Sequence, residues 1–512
     1  MAKPQFKFYI DINKDGTFAA EITNKVISAN WNIGFTAAFD KVGRDNTANI
    51  IVNNNSKDFS PENTVGIYYG TLTKGRAVKI TSTYSSVTQT MWLGWIDFIA
   101  PDSNTNGSRQ AELYCTGWME RANRRESLIP IQLNKRADEI IAVILDESDI
   151  LPPSVTGRWI LGEGLLNTST TLGAITDYFS SDTGDSVFSF AGDWSTGTTV
   201  FSAITEIVQR EAGRFFQRRD GKLQFYRRLH FPSDVISLFS ITDKSSDMEY
   251  DFGADVANII QVIYQPRTTG TVGTTLSTLA ASVEIAANSI TSIEYRFVND
   301  TGTTVGATAL ITPVTVTDFT ANTLEDGTGT DITAYITASI SVTTATSATV
   351  IYTNTGVAGY ILKTSKLRGT PLTKYEQQTY IAQDEDSILA FGKLSYSTDG
   401  IQDTLADAQT LGDYELSLRK DAVGKVNSIT LAGWNTNLTA YILDYSVGAR
   451  ITMHETQTSA NGDWFIMAEN HSLSADDWRV QWILEDAGTI TYWALGTATQ
   501  SQLGDTTFLA PL

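Results

Sequence analysis

The chain has 512 residues, 37 Lys+Arg against 57 Asp+Glu, and a net charge of −20, with 42% hydrophobic and 18% charged residues. This balance supplies cores for about three or four domains and excludes both general disorder and a surface that grips phosphate backbone throughout. The single cysteine, Cys115, excludes an internal disulfide and a thiolate metal cluster.

The chain opens Met1-Ala2-Lys3-Pro4-Gln5-Phe6, with no apolar stretch of the signal-peptide kind. Phe6 to Ile12 then alternates, Asn13-Lys14-Asp15-Gly16 turns, and Thr17 to Ile22 returns, which predicts a hairpin. Further turn signals at Asn106-Gly107, Asp220-Gly221, Asp326-Gly327, Asp399-Gly400 and Asn461-Gly462 predict β structure through several domains. Helical spacing predicts three helices: within Ala137 to Leu145, from Phe201 through Ile204 and Val208 to Gly213, and through Leu405, Leu411 and Leu418. Ile140 to Leu145, the longest aliphatic run, is too short to cross a bilayer. The second helix leads straight into the ribbon Arg214 to Tyr226, so the middle region reads as α+β. From Thr268 to Gly359 the sequence is dense in Thr, Ser, Ala and Gly, lacks Trp, and has Arg296 as its only basic residue. Strand-like stretches within it predict an inserted β-sandwich-like module at 269–362, a Thr-rich surface segment being the duller alternative.

Motifs of chemistry fail one by one. Asp11-x-Asn13-x-Asp15-Gly16 has the first ligands and the glycine of a calcium loop, but the final ligand position is Ile22 and both flanks read as strands. The three histidines, His230, His454 and His471, sit in no zinc-protease spacing. Gly162-Glu163-Gly164 lacks the third glycine of a dinucleotide loop, and no G-x-S-x-G elbow or P-loop is present. Cofactors are therefore expected to be none. A paired-carboxylate glycosidase stays open, since only the fold brings such pairs together.

Two basic clusters stand out: Arg121, Arg124 and Arg125; and Arg214, Arg218, Arg219, Lys222, Arg227 and Arg228. The second interleaves with Phe215, Phe216, Phe225 and Tyr226, as in a nucleic-acid stacking surface. On a two-stranded ribbon the same alternation gives one buried and one wet face. The expected partner of that wet face is an acidic neighbouring subunit.

Several segments together resemble tail-tip or baseplate hub proteins of tailed bacteriophages. They are Ser60-Pro61-Glu62-Asn63 with Gly66-Ile67-Tyr68-Tyr69-Gly70 and Gly75-Arg76-Ala77-Val78-Lys79-Ile80; Met91-Trp92-Leu93-Gly94-Trp95-Ile96-Asp97; and Arg136-Ala137-Asp138-Glu139-Ile140-Ile141. Glu211-Ala212-Gly213-Arg214-Phe215-Phe216 through Lys222, Val447-Gly448-Ala449-Arg450-Ile451 and Asp463-Trp464-Phe465-Ile466-Met467 follow in order. The resemblance covers most of 6–265 and 363–509, and order rather than any one motif carries it.

It implies a mainly β chain with α+β parts. The implied domains are an N-terminal β-barrel hub domain at 1–118, an α+β middle domain at 119–250, and a second barrel begun at 251–268 and resumed with a helix at 363–488. A C-terminal arm at 489–512 completes it. The implied role is structural rather than enzymatic: a homotrimer in the virion, at the distal end of the tail, matching tube symmetry to the tip and enclosing a DNA channel with an acidic wall. Implied partners are the tube or distal tail protein, the tape measure protein and a fibre or receptor-binding protein, with DNA in transit only and no stable membrane insertion. The interface candidates are Arg214, Arg218, Arg219, Arg227 and Arg228, together with Trp493, Leu495, Phe508 and Leu509 of the arm. The alternatives are a receptor- or glycan-binding distal tail protein and a carbohydrate-active β enzyme.

Overall fold

The computed structural model describes residues 3–103, 109–148, 178–192, 197–234, 236–242, 247–299 and 302–488, with short pieces at 176, 194, 491–492 and 507–508. The protein is mainly β with a few helices. Its largest element is one 13-stranded sheet that draws on both ends of the chain.

In the first part, Gln5–Ile10 pairs antiparallel with Ala77–Tyr84, and the returning strand predicted at Thr17 to Ile22 shrinks to Ala20–Glu21. Asp11 makes the turn between them: its buried carboxylate accepts from Asp15 N at 3.2 Å and Gly16 N at 2.8 Å. The calcium-like pattern thus spends its first carboxylate on backbone N–H groups. Val87–Pro101 pairs with Ala77–Tyr84 through its first half and with Gln110–Thr116 through its second, bending at irregularities near Ile80 and Ile96. Such irregularities let one strand serve two neighbours by increasing local twist.

The join between the two ends of the chain is Val26–Gly34. One edge pairs with Ala48–Asn53, the other with Asn461–Ser474 from Ser28↔Ser474 to Gly34↔Ala468. Alternation then sorts its side chains: Ala29, Trp31 and Ile33 enter the core, while Asn30 and Asn32 face outward. That core is continuous from Phe8 and Trp92 to Trp478 and Trp482. The sequence reading expects two barrel-like domains; among the described residues the pairing runs as one branched path and does not close, ending at Asp247–Phe252 on one side and Ala20–Glu21 on the other.

The middle region follows its sequence pattern. Helices Ala137–Ser148 and Val200–Glu211 share a core with Phe190, Phe215 and Phe225. Thr199 caps the second helix by accepting from Ser202 N, and Ala212, in the left-handed conformation, ends it ahead of Gly213. The ribbon Arg214–Gln217 with Leu223–Tyr226 turns at Asp220-Gly221 as expected, with Gly221 at φ 80°. Helix Leu405–Arg419 packs against Ile259–Tyr264 and Gln378–Gln383 through Ala408 and Leu411. Asn461-Gly462 is no turn: both residues lie in a strand, opposite His454 and Met453, and the chain reverses over Glu455 to Ala460.

The Thr-rich region folds as short antiparallel strands around Leu276, Phe297, Phe319, Val350 and Ile361. At its centre the hydroxyls of Tyr295, Tyr352 and Ser365 meet at 2.8 to 3.0 Å, so each buried tyrosine keeps a partner. The unit runs past residue 362: Lys366–Lys374 pairs with Arg267–Thr269, Thr274–Thr278 and Gly306–Ile311. Its two connections meet where Tyr375 N donates to Pro266 O at 2.9 Å. Replacing residues 268–374 by an Asn-Gly turn should therefore leave Ile259–Tyr264 paired with Gln378–Gln383 and the remaining chain cooperatively folded. Circular dichroism with a urea titration checks this; a broad, non-cooperative transition would show that the unit is integral to the rest.

Candidate interface: a charge-locked seam between chain regions

Acidic side chains buried in the C-terminal part are the unusual feature of this molecule. Glu469, Glu485, Glu415 and Asp403 are all buried, and each meets a cation brought from elsewhere in the chain. Charge taken out of water at this depth is tolerated only when paired and hydrogen-bonded.

Arg219 is the most connected cation. Its Nε donates to Glu469 Oε2 at 2.9 Å, Nη1 to Leu443 O at 2.8 Å, and Nη2 to Ile442 O at 2.8 Å and Tyr445 O at 3.0 Å. Those carbonyls belong to the end of helix Thr436–Asp444, where orphan C=O groups and the helix dipole favour a cation. Glu469 also accepts from Ser446 Oγ and from His471 Nε2 at 2.8 Å. Burial alone would raise the Glu469 carboxyl, but Arg219 and His471 more than offset it and hold it at about 2. Burial lowers the His471 imidazole, so the ring is neutral near pH 7; it donates from Nε2 and accepts from Trp478 Nε1 at Nδ1, 3.4 Å away. The ring stacks on Trp31 at 4.7 Å.

Arg214 Nη2 donates to both oxygens of Glu485 at 3.1 Å. Beside it Lys41 donates to Glu415 Oε1 at 3.0 Å, and Glu415 accepts from Arg419 Nε at 3.1 Å. Burial, then Arg214, lowers the Lys41 ammonium to about 8. Arg210 donates to Asp403 and to Ser189 O at 2.8 Å, while Asp403 accepts from Ser189 N at 2.8 Å. Except for Glu415 with Arg419, which lie on one helix, each pair ties the N-terminal or middle region to the C-terminal part.

This corrects the expected wet face. Arg214 to Gln217 are all buried, because the ribbon lies between two layers. Arg214 and Arg219 therefore find their acidic neighbours within their own chain. Arg218 stays exposed and pairs with Asp220 at 3.1 Å; Arg228 pairs with Asp185 at 2.6 Å; Arg227 is half-buried, its N–H donating to Asp182. Trp493, Leu495 and Leu509 lie outside the described residues, as does the turn signal Asn106-Gly107. Phe508 falls in a two-residue strand, Thr507–Phe508, parallel to Thr491–Tyr492. Composition gave no sign of Glu469, Glu485 or Asp403, since each partner stands far along the chain.

No family model matches the sequence, and no curated protein matches it. Among solved structures, the chain is similar over nearly its full length to phage tail proteins. The tail protein from Neisseria meningitidis MC58 matches with a TM-score of 0.48 and 8% identity, covering 95% of this chain and 97% of that chain. The 43 kDa tail protein of prophage MuSo2 from Shewanella oneidensis matches with a TM-score of 0.47 and 8% identity, covering 94% and 98%. Prophage tail protein gp18 from Listeria monocytogenes EGD-e matches with a TM-score of 0.39 and 7% identity, covering 93% and 94%.

Two predictions follow from the seam's electrostatics. Arg219→Met leaves Glu469 buried without its main cation and should cost about 3–5 kcal/mol, whereas the double change Arg219→Met with Glu469→Leu should recover much of that loss; urea midpoints of the three proteins decide it. Glu211, raised to about 7 by burial and then by Asp185, favours the protonated form in the fold. Its cost is therefore absent below the ordinary glutamate range, grows as pH rises from there to about 7, and is complete above it. Glu211→Gln should stabilise by about 2 kcal/mol near pH 8 and leave stability unchanged near pH 4, as read from melting curves at the two pH values.

Proposed function

We propose that this protein is a structural component of a phage tail: a homotrimeric hub at the distal end, joining the tube to tip or receptor-binding parts. The observation that carries the reading is the antiparallel join of Ser28–Gly34 with Ala468–Ser474, which makes one rigid sheet from the two chain regions that resemble hub barrels. In this reading each region is an opened barrel, and three copies present six such units to a sixfold tube.

Two features support it. The sheet ends in unlike strands, so copies meeting edge to edge do so head-to-tail, and such contacts close when the rotation returns to its start. The buried ion pairs fix the angle between regions, which a ring of defined diameter requires. The arm from Tyr492, with Trp493, Leu495, Phe508 and Leu509, is assigned to contact with a neighbour, and the net charge of −20 suits a channel wall that repels DNA in transit. In this role the chain works by shape and symmetry and carries no enzymatic activity.

Light scattering on the purified protein tests the proposal. A trimer is the expected result, and electron micrographs should show a threefold ring with a central hole. A monomer or dimer, both free and within tail particles, would overturn it.

A further inference from the structure

Two surfaces stay apolar and exposed although the backbone beneath them is fixed. The first is the loop from Asn54 to Gly75, in the N-terminal region. Its turns form a chain of backbone hydrogen bonds three residues apart, at 2.9 to 3.3 Å: Lys57 N to Asn54 O, Ser60 N to Lys57 O, Asn63 N to Ser60 O, Gly66 N to Asn63 O, and Tyr69 N to Gly66 O. Phe59 and Leu72 anchor it in the core, and Asn54 Oδ1 accepts from Phe59 N at 2.9 Å. At the tip, Val65 is 89% exposed and Ile67 71%, with Tyr69 half exposed.

The second lies in the C-terminal part, where helix Glu385–Phe391 follows strand Gln378–Gln383. Asp384 caps the helix by accepting from Ser387 N at 2.9 Å. Asn258 fastens its far end, Nδ2 donating to Gly392 O at 2.7 Å and Oδ1 accepting from Leu394 N at 2.9 Å. Leu389 is nevertheless 87% exposed, and Phe391 and Leu394 are exposed with it. Single apolar side chains scattered over a surface need no explanation, but a cluster of three on fixed backbone does. Fixed backbone also lowers the ordering cost of a contact.

Both clusters are exposed, so neither covers the other within one copy. An anionic lipid surface would be met by a basic rim, which neither has. Among the exposed charges of the helix segment, Glu385 and Asp386 outnumber Lys393. The loop is charge-balanced, Lys25 and Lys57 against Asp58 and Glu62, in a chain of net −20. Lys57 is exposed and adjoins the tip, its carbonyl accepting from Asn63 Nδ2 at 3.1 Å. The loop can therefore approach that acidic rim without like-charge repulsion. A ring closed head-to-tail sets one side of each copy against the other side of the next. With the two sheet regions alternating round the ring, the contact between copies brings an N-terminal region against a C-terminal part. One such contact covers both clusters at once.

We propose that the partner of the Val65–Tyr69 tip is a second copy of this chain, the loop of one copy seating on Leu389, Phe391 and Leu394 of the next. The inference rests on the trimeric reading and names the surfaces that close the ring. Light scattering on Ile67→Asp, on Leu389→Asp and on their equimolar mixture tests it. Where the wild type is a trimer, each variant alone is expected to be a monomer with an unchanged circular dichroism spectrum, because both side chains are exposed. The mixture should give dimers and no trimer: one copy keeps an intact loop and the other an intact helix, so a single sound contact forms and the ring cannot close. A trimeric wild type whose variants stay trimeric overturns this inference alone, whereas a monomeric wild type overturns the trimeric reading with it. Dissociation by only one of the two variants would give that surface another occupant, such as residues 489–512 of a neighbour, and a mixture that stays monomeric would show that the two surfaces do not meet. Either result also overturns the inference.

Discussion

Everything in this structure hangs on where its buried negative charge finds positive charge. Glu469, Glu485, Glu415 and Asp403 occupy the C-terminal part, while Arg219, Arg214, Lys41 and Arg210 come from residues 41 to 219. None of these carboxylates is stable alone at its depth, so the C-terminal part is complete only when the earlier chain is docked on it. Apolar burial joins the same regions, since Phe8, Trp31, Trp464 and Trp482 belong to one core. Hydrophobic burial supplies the bulk of the stabilisation without direction; the ion pairs supply direction, because a guanidinium set on three carbonyls and a carboxylate accepts one orientation.

The helix-and-ribbon unit is the mediator. Val200–Glu211 delivers Arg210 at its last turn, the ribbon delivers Arg214 at its first residue, and the Asp220-Gly221 turn holds Arg219 against the end of another helix. A run of ten residues thus reaches three acidic sites. The left-handed Ala212 between helix and ribbon sets the angle at which this happens.

Much of this was legible in the sequence where the signal is local. The spacing of Ile204 and Val208 marked a helix, Asp220-Gly221 a turn, and the loss of Trp and basic residues after Arg267 an independent unit. What failed was the inference from alternation to exposure. Phe215 and Phe216 beside Arg214 and Arg219 read as a ribbon with one wet face, but a ribbon between two layers has none. Its arginines are buried, and the glutamates that permit this stand some 250 residues on, where no local pattern announces them. Asn461-Gly462 failed for a related reason: a dipeptide suited to turns is also tolerated in a strand when the reversal is made elsewhere, here by Ser459 at φ 61°.

The join of Val26–Gly34 to Asn461–Ser474 also has a temporal meaning. During synthesis the first strand is made long before its partner, so one edge of the N-terminal sheet stays unpaired while the middle region and the Thr-rich unit are produced. Contacts this distant in sequence form slowly, and an unpaired edge is open to other chains in the meantime. Ser28, Asn30 and Asn32, on one face of that strand, keep its outward side polar through this interval. The same strand that unites the finished molecule is the one whose solubility matters most before it is finished.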